Sequence, residues 1–261
     1  MAGEVMTDEV TGTDGKAVLR IQGLRKNFYG LRALDGVDME LREKELLGLM
    51  GPNGSGKSTL LNCITGVLST AAGRVYHRDR DITGWKSSSI YKLGVARTFQ
   101  IVQLFPEMTV LDNLIGAIQE SQGSMFGRLF RFSEDGEKAK AQEILEFLKI
   151  AHVKDNLAKN LSYGQQKLVD LGMVLMSDPS IVLLDEPLAG VNPTLGREII
   201  DHILELVKVK CCAVLIVEHN AKIMLDICDR IVVLNEGKKI AEGQPEEIKE
   251  NPEVLRAYFG A

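Results

Sequence analysis

The stretch GPNGSGKST, residues 51–59, sets three glycines, a lysine and several hydroxyl side chains directly behind the apolar segment Leu46-Leu47-Gly48-Leu49-Met50. It fits G-x-x-x-x-G-K-[ST], a loop whose bare backbone N–H groups wrap a chain of phosphates. Glycine lets the main chain turn inward and approach the oxygens with no Cβ in the way. The residues expected at the phosphates are Gly51, Pro52, Asn53, Gly54, Ser55, Gly56, Lys57, Ser58 and Thr59. Lys57 would reach the β- and γ-phosphates, and Ser58 would ligate Mg²⁺. Four fixed positions match by chance in a chain of this length about one time in a hundred. A glycine-rich surface turn is the bland alternative; a strand before the loop and a helix after it argue for phosphate.

Two further constellations could act on that phosphate. The segment IVLLDEP, residues 181–187, puts Asp185 and Glu186 side by side at the end of an apolar run. Ligands of open α/β sheets gather at the carboxyl ends of such strands. Asp185 can hold Mg²⁺, usually through water, and Glu186 is positioned to orient a water for attack on the γ-phosphate. Two adjacent acids are ordinarily a solvated turn, but four aliphatics before them and the phosphate loop upstream favour a site. In LSYGQQ, residues 161–166, Ser162 and the N–H groups near Gly164 would sit at a helix N-terminus, a ready anion site. A serine there is also an ordinary helix cap. Its place, 23 residues before Asp185, decides for the anion.

These groups need elements to position them. Short runs at Val18–Ile21 and Val37–Leu41 suggest strands leading to the loop, Thr59–Val67 reads as a helix, and Val75 marks another short strand. Between Phe105 and Asn160 the texture turns helical, in EMTVLDNLIGAI and in EKAKAQEILEFLKI, with Ile144, Leu145 and Leu148 on one face of the second. Between them lies a basic and aromatic cluster, Phe126, Arg128, Phe130, Arg131 and Phe132, read as the cover of a helical hairpin's tip rather than a lipid or partner contact. Leu168, Leu171 and Leu175 share a helical face after the LSYGQQ segment. SIVLLDEP and AVLIVEHN are continuous apolar runs, as parallel strands buried on both faces require. Asn192-Pro193 opens a helix that turns Ile199, Ile200, Ile203, Leu206 and Val207 inward. The chain ends in two short helices broken at Asn251-Pro252. Residues 1–16 read as a mobile, acidic tail.

The composition constrains partners and compartment. The 261 residues carry a net charge of -5, which argues against a general nucleic-acid binder, since that needs clustered Lys and Arg. Four scattered cysteines show neither metal spacing nor a disulfide framework and suit a reducing compartment. No apolar run approaches the roughly 20 residues of a membrane span, so a cytoplasmic protein is expected, touching a membrane through partners.

Taken in order, the phosphate loop, TFQ ending in Gln100, LSYGQQ, LLDEP and VEHN with His219 resemble the ATP-binding subunit of ABC transporters over about residues 18–243. The resemblance implies an α/β fold, a phosphate-loop core with a mainly parallel sheet, an antiparallel β subdomain and an α-helical insert. It divides the chain into a tail at 1–16 and an ATPase domain at 17–261, with core and β subdomain at 17–104 and 179–261 and the helical subdomain at 105–178. It implies ATP and Mg²⁺ as ligands. Gln100 becomes the glutamine that senses Mg²⁺ and the attacking water, and His219 the histidine at the γ-phosphate. Phe28 matches the aromatic stacked on adenine, with Tyr29 as the alternative. Ser162, Tyr163, Gly164 and Gln165 form the signature that completes the ATP site of a second ATPase subunit, whether a copy or a paralogue.

Tyr163 stands where the family usually has glycine, and Asn192 where it has aspartate. Neither change removes a group that binds phosphate or drives hydrolysis, so an active ATPase is expected. VARTFQIVQLFPEMTVLDNL, AGVNP and NPEVLRAYFG look like importer subunits for branched-chain amino acids. Subunits for urea or amides and the ATPase of the lipopolysaccharide exporter look similar too, and a non-transport ATPase is the remoter alternative. The partners implied are transmembrane permease subunits and, indirectly, a solute-binding protein, with the chain peripheral on the inner face of the cell membrane.

Overall fold

The apolar run before the loop is a strand with every residue buried, Leu46–Met50, and the runs Ile181–Asp185 and Ala213–Val217 are the same. Strands buried on both faces need a layer on each side. The computed structural model describes residues 15–99, 102–118 and 134–259. Most of the expected acidic tail, Gln100 and the cluster Phe126–Phe132 lie outside them.

In chain order the strands are β1 (Ala17–Phe28), β2 (Leu31–Arg42), β3 (Leu46–Met50), β4 (Ala72–His77), β5 (Arg80–Asp81), β6 (Val95–Arg97), β7 (Ile181–Asp185), β8 (Ala213–Val217), β9 (Arg230–Asn235) and β10 (Lys238–Gly243). The helices are α1 (Lys57–Ile64), α2 (Ser87–Tyr91), α3 (Val110–Gly116), α4 (Glu134–Phe147), α5 (Tyr163–Leu175), α6 (Pro193–Lys208), α7 (Ala221–Ile227), α8 (Pro245–Glu250) and α9 (Pro252–Phe259). One sheet runs β10-β9-β3-β8-β7-β6, parallel except for β10, and the other runs β2-β1-β4-β5, antiparallel throughout. The α/β phosphate-loop architecture expected from the sequence is the one observed.

The pleat sorts the core. Leu46, Met50, Val182, Leu184, Val214 and Ile216 join one apolar cluster with α3 to α7, while Leu47, Leu49, Ile181, Leu183, Leu215 and Val217 join a second with α1 and the antiparallel sheet. Alternate residues of one strand point to opposite faces, so each strand feeds both layers. Gly48 belongs to the first face. A Cβ there would come within 2.8 Å of Met224 Cε and 2.9 Å of Cys228 Sγ, so these side chains occupy the space that a larger residue on β3 would need. Between 105 and 178 the described residues are helices and turns, apart from one bridge pairing Thr109 with Leu157. Asn113, fully buried, ties this region together: its side chain accepts the Phe105 N–H and donates to the Phe105 and Thr109 carbonyls.

Several expectations need correction. The first helix ends at Ile64 rather than Val67, because Gly66 turns left-handed at φ 69° and its N–H bonds back to the Cys63 carbonyl. The strands β1 and β2 run 12 residues each, far beyond the short runs expected. Their register shifts, the first between Ala17 and Leu19 and the next between Ile21 and Leu24 around Gly23, break the alternation while pairing continues. On α6 the inward stripe is Ile199, His202, Ile203, Leu206 and Val207. Ile200 lies one residue, about 100°, off that stripe and is only half-buried. His202 takes a core position against Phe147, ring centroids 5.2 Å apart, and burial lowers its pKa.

Candidate functional site

The phosphate loop leaves β3 and closes on α1 through three left-handed glycines, Gly51 (φ 146°), Gly54 (φ 78°) and Gly56 (φ 106°). A Cβ on Gly51 would lie 2.1 Å from the Leu234 carbonyl, and one on Gly56 would lie 2.6 Å from that of Ala33. Bare backbone is therefore demanded twice, by conformation and by room. Lys57 folds back over the loop, its Nζ donating to the carbonyls of Gly51 at 2.8 Å and Pro52 at 3.0 Å. Burial lowers its pKa, and the carboxylates of Glu186 and Asp185 oppose that shift. Ser58 and Thr59 follow at the first turn of α1, where backbone N–H groups have no partner within the helix and attract anions.

A cleft of about 880 Å³ opens over this loop, and its walls include Phe28, Asn53, Gly54, Gly56, Lys57, Ser58, Thr59, Glu186 and His219. Phe28 ends β1 and is partly exposed, with Lys26 Nζ 5.1 Å from its ring centre. Tyr29, left-handed at φ 45° and fully exposed, does not line the cleft. Glu186 continues the ladder for one bond, donating its N–H to the Val217 carbonyl at 2.9 Å, and then turns left-handed at φ 51°. A non-glycine residue held there is strained, which is common where a side chain must be aimed. That turn delivers Glu186 Oε1 to 2.5 Å from His219 Nε2, joining the ends of β7 and β8 across the cleft's edge.

Asp185, one residue earlier, is buried. Its Oδ2 accepts from Arg97 at 2.7 Å, and Arg97 also donates to Asn62 on α1. Asp185 Oδ1 is buried without a partner. Among the described residues no cluster of three or more His, Cys, Asp or Glu could cage a metal alone. One carboxylate beside a hydroxyl at a phosphate loop suits Mg²⁺, which takes few protein ligands and completes its shell with water and phosphate oxygens. The unpartnered Oδ1 and Ser58 therefore fit that ion. The Arg97–Asp185 pair is almost wholly buried, with side chains 6% and 5% exposed. Replacing Arg97 by Met strands a buried carboxylate and is expected to lower unfolding stability by about 3 kcal/mol. Urea denaturation checks this; a loss below about 1 kcal/mol would show the pair to be dispensable.

The signature residues stand apart from the cleft. Ser162 caps α5 in a capping box, its Oγ accepting the Gln165 N–H at 3.3 Å while Gln165 Oε1 accepts the Ser162 N–H at 3.0 Å. Neither they nor Tyr163 and Gly164 line the cleft. A Cβ added to Gly190 would sit 2.9 Å from the Tyr163 ring, and Lys167 Nζ lies 5.7 Å from that ring's centre. Asn192 caps α6, accepting the Leu195 N–H at 3.1 Å.

Sequence reasoning missed three supporting groups. Arg97 carries no motif of its own. Glu218 is buried, its Oε1 accepting the Leu188 N–H at 2.7 Å and its Oε2 that of His219 at 3.3 Å, so it braces the loops after both β7 and β8. Burial raises its pKa. An acid closing a run of buried aliphatics, just as in β7, was the signal that could have found it. Lys167 Nζ lies 3.4 Å from the Glu186 carbonyl and links α5 to the strained turn. One turn on, desolvation pushes Asp170 up to about 7.

The comparisons agree with one another. The family described as ABC transporter matches residues 34–189, and that described as branched-chain amino acid ATP-binding cassette transporter matches residues 238–261. The chain is 42% identical over 255 residues to the probable branched-chain amino acid transport ATP-binding protein LivG of Methanocaldococcus jannaschii, covering 95% of this chain and 99% of that one. Among solved structures it is similar to a nucleotide-free ATP-binding cassette from an ABC transporter, with TM-score 0.83, 41% identity and coverage of 94% and 100%. It is also similar to a dimeric cassette in a post-hydrolysis state bound to ADP and phosphate, with TM-score 0.76, 25% identity and coverage of 87% and 98%.

Proposed function

The chain belongs to the ATP-binding subunits of ABC transporters, and from that premise we propose how its own residues bind and cleave ATP. It is an ATPase that powers amino-acid uptake, and branched-chain amino acids are the substrate class we assign. The observation that carries the reading is the convergence of Lys57, Ser58, Glu186 and His219 on one cleft above the phosphate loop.

Lys57 leaves the Gly51 and Pro52 carbonyls and turns to the β- and γ-phosphates, supported by the free N–H groups of the loop and of α1. Phe28 stacks on the base. Ser58, Asp185 through water and Gln100 would hold Mg²⁺, which would supply neutralising positive charge at the phosphates. Glu186 then orients and polarises the attacking water, and His219 contacts the γ-phosphate. Phosphoryl transfer needs positioning and charge neutralisation more than covalent chemistry, so these few groups suffice.

The signature residues Ser162, Tyr163, Gly164 and Gln165 do not line their own cleft, as expected if they complete the site of a second ATPase subunit. ATP then acts as glue between the two subunits, and hydrolysis separates them. We assign residues 105–178 as the helical subdomain and the region of Gln100–Pro106 as the docking surface for transmembrane permease subunits. A solute-binding protein completes the importer. No described helix is long and apolar enough to cross a membrane, so contact with the bilayer runs through those permeases.

The assignment predicts that host cells lacking this chain lose uptake of labelled leucine, and that the wild-type gene restores it while the Glu186→Gln variant does not. Unchanged leucine uptake in the deletion strain would remove branched-chain amino acids as the substrate.

A further inference from the structure

The first residue of the phosphate loop is held by the last helix of the chain. The Gly51 N–H donates to Tyr258 Oη at 2.7 Å, across 207 residues of sequence. Gly51 is buried, and the rest of its surroundings are equally close: the Leu234 carbonyl and Ser55 Oγ leave no room for a side chain. Its own carbonyl accepts from Lys57 Nζ. Two side chains therefore grip this residue on either side of its Cα, Tyr258 on the Met50–Gly51 peptide and Lys57 on the Gly51–Pro52 peptide.

They differ in what nucleotide does to them. Lys57 must leave the Gly51 carbonyl to meet phosphate, whereas the Gly51 N–H is already turned to Tyr258 and neither residue lines the cleft. The Tyr258 bond is thus the grip that persists when ATP binds. The helix that carries it is well seated. Val254 is buried in the same apolar cluster as Ile248, Ile231 and Val233, with Tyr258 packed against that cluster. Asn251 Oδ1 caps the helix by accepting the N–H groups of Glu253 at 2.9 Å and Val254 at 3.3 Å.

We propose that α9 is a brace for the phosphate loop and that Tyr258 is its positioning residue, setting the orientation of the Gly51 peptide before and during nucleotide binding. The inference rests on the nucleotide-binding reading of the cleft. Without the hydroxyl oxygen, a buried backbone N–H has no acceptor and the peptide must tilt to find one. The loop then presents its N–H groups to phosphate from a wrong starting geometry, and affinity falls while the apolar seat of the helix is kept.

The test uses the full chain and its Tyr258→Phe variant, titrated with a fluorescent ATP analogue and followed by amide hydrogen exchange. The expected result is a Kd about fivefold higher in the variant, as loss of one hydrogen bond implies. Exchange should quicken in the peptide spanning residues 46–58 and stay unchanged in the peptide spanning 245–258. A Kd shift smaller than about threefold overturns the proposal. So does faster exchange in both peptides, which would mean that the helix has detached and the tyrosine is merely structural. Wild-type protein that fails to bind the analogue at all overturns the nucleotide reading and the brace with it, and is told apart by needing no variant.

Discussion

Replacing Glu186 by glutamine is expected to cut kcat at saturating ATP by about a thousandfold while leaving ATP affinity within about threefold. The change keeps the shape of the side chain and its reach to His219, which now lies 2.5 Å from Oε1. It removes the negative charge proposed to polarise the attacking water. The backbone at φ 51° is held by main-chain groups, the Glu186 N–H on the Val217 carbonyl and the Glu186 carbonyl near Lys167 Nζ, which an isosteric side chain leaves in place. Binding should therefore survive, and the variant should collect as an ATP-bound dimer visible by size-exclusion chromatography with light scattering. Single-turnover phosphate release separates chemistry from product escape. Wild-type turnover in this variant would remove Glu186 from its role and leave the water to be oriented by another group.

Lys57→Ala should act one step earlier. Nζ is the cation seated over the loop, and its partners in the free protein are the Gly51 and Pro52 carbonyls. Alanine deletes the charge-assisted contact proposed to the phosphates and also lets those carbonyls drift. We expect ATP affinity to fall about a thousandfold, or about 4 kcal/mol, as measured by calorimetric titration. Lys57→Arg should recover little, because a planar fork does not replace a compact ammonium in a space closed by backbone. An affinity within tenfold of wild type for Lys57→Ala would defeat the assignment of the loop. The two variants fail differently, one in chemistry and one in binding, so together they separate the roles of loop and acid.

Much of this site can be read from the sequence because its parts are local. A phosphate loop is nine consecutive residues whose glycines answer a steric demand, and the structure places Gly51, Gly54 and Gly56 in left-handed conformations. Asp185 and Glu186 announce themselves by ending a run of buried aliphatics, and Asn192-Pro193 announces a helix start that Asn192 caps in fact. Continuous apolar strands told of a sheet covered on both faces, because no other strand can tolerate such a run.

Tertiary structure alone decided the connections. Arg97 meets Asp185 across 88 residues, Glu218 meets Leu188 across 30, and Tyr258 meets Gly51 across 207. Such bonds depend on strand order and on which helix packs over which edge, and neither leaves a periodic trace in the chain. The same holds for Ile200, whose exposure depends on what lies beside α6 rather than on its own hydrophobicity, and for β1 and β2, whose bulges hide long pairings behind broken alternation. Sequence determined the chemistry each segment brings, because backbone sterics and burial act on neighbours along the chain. The fold decided which of those groups meet, because meeting is a property of closed distances between residues that the chain keeps far apart.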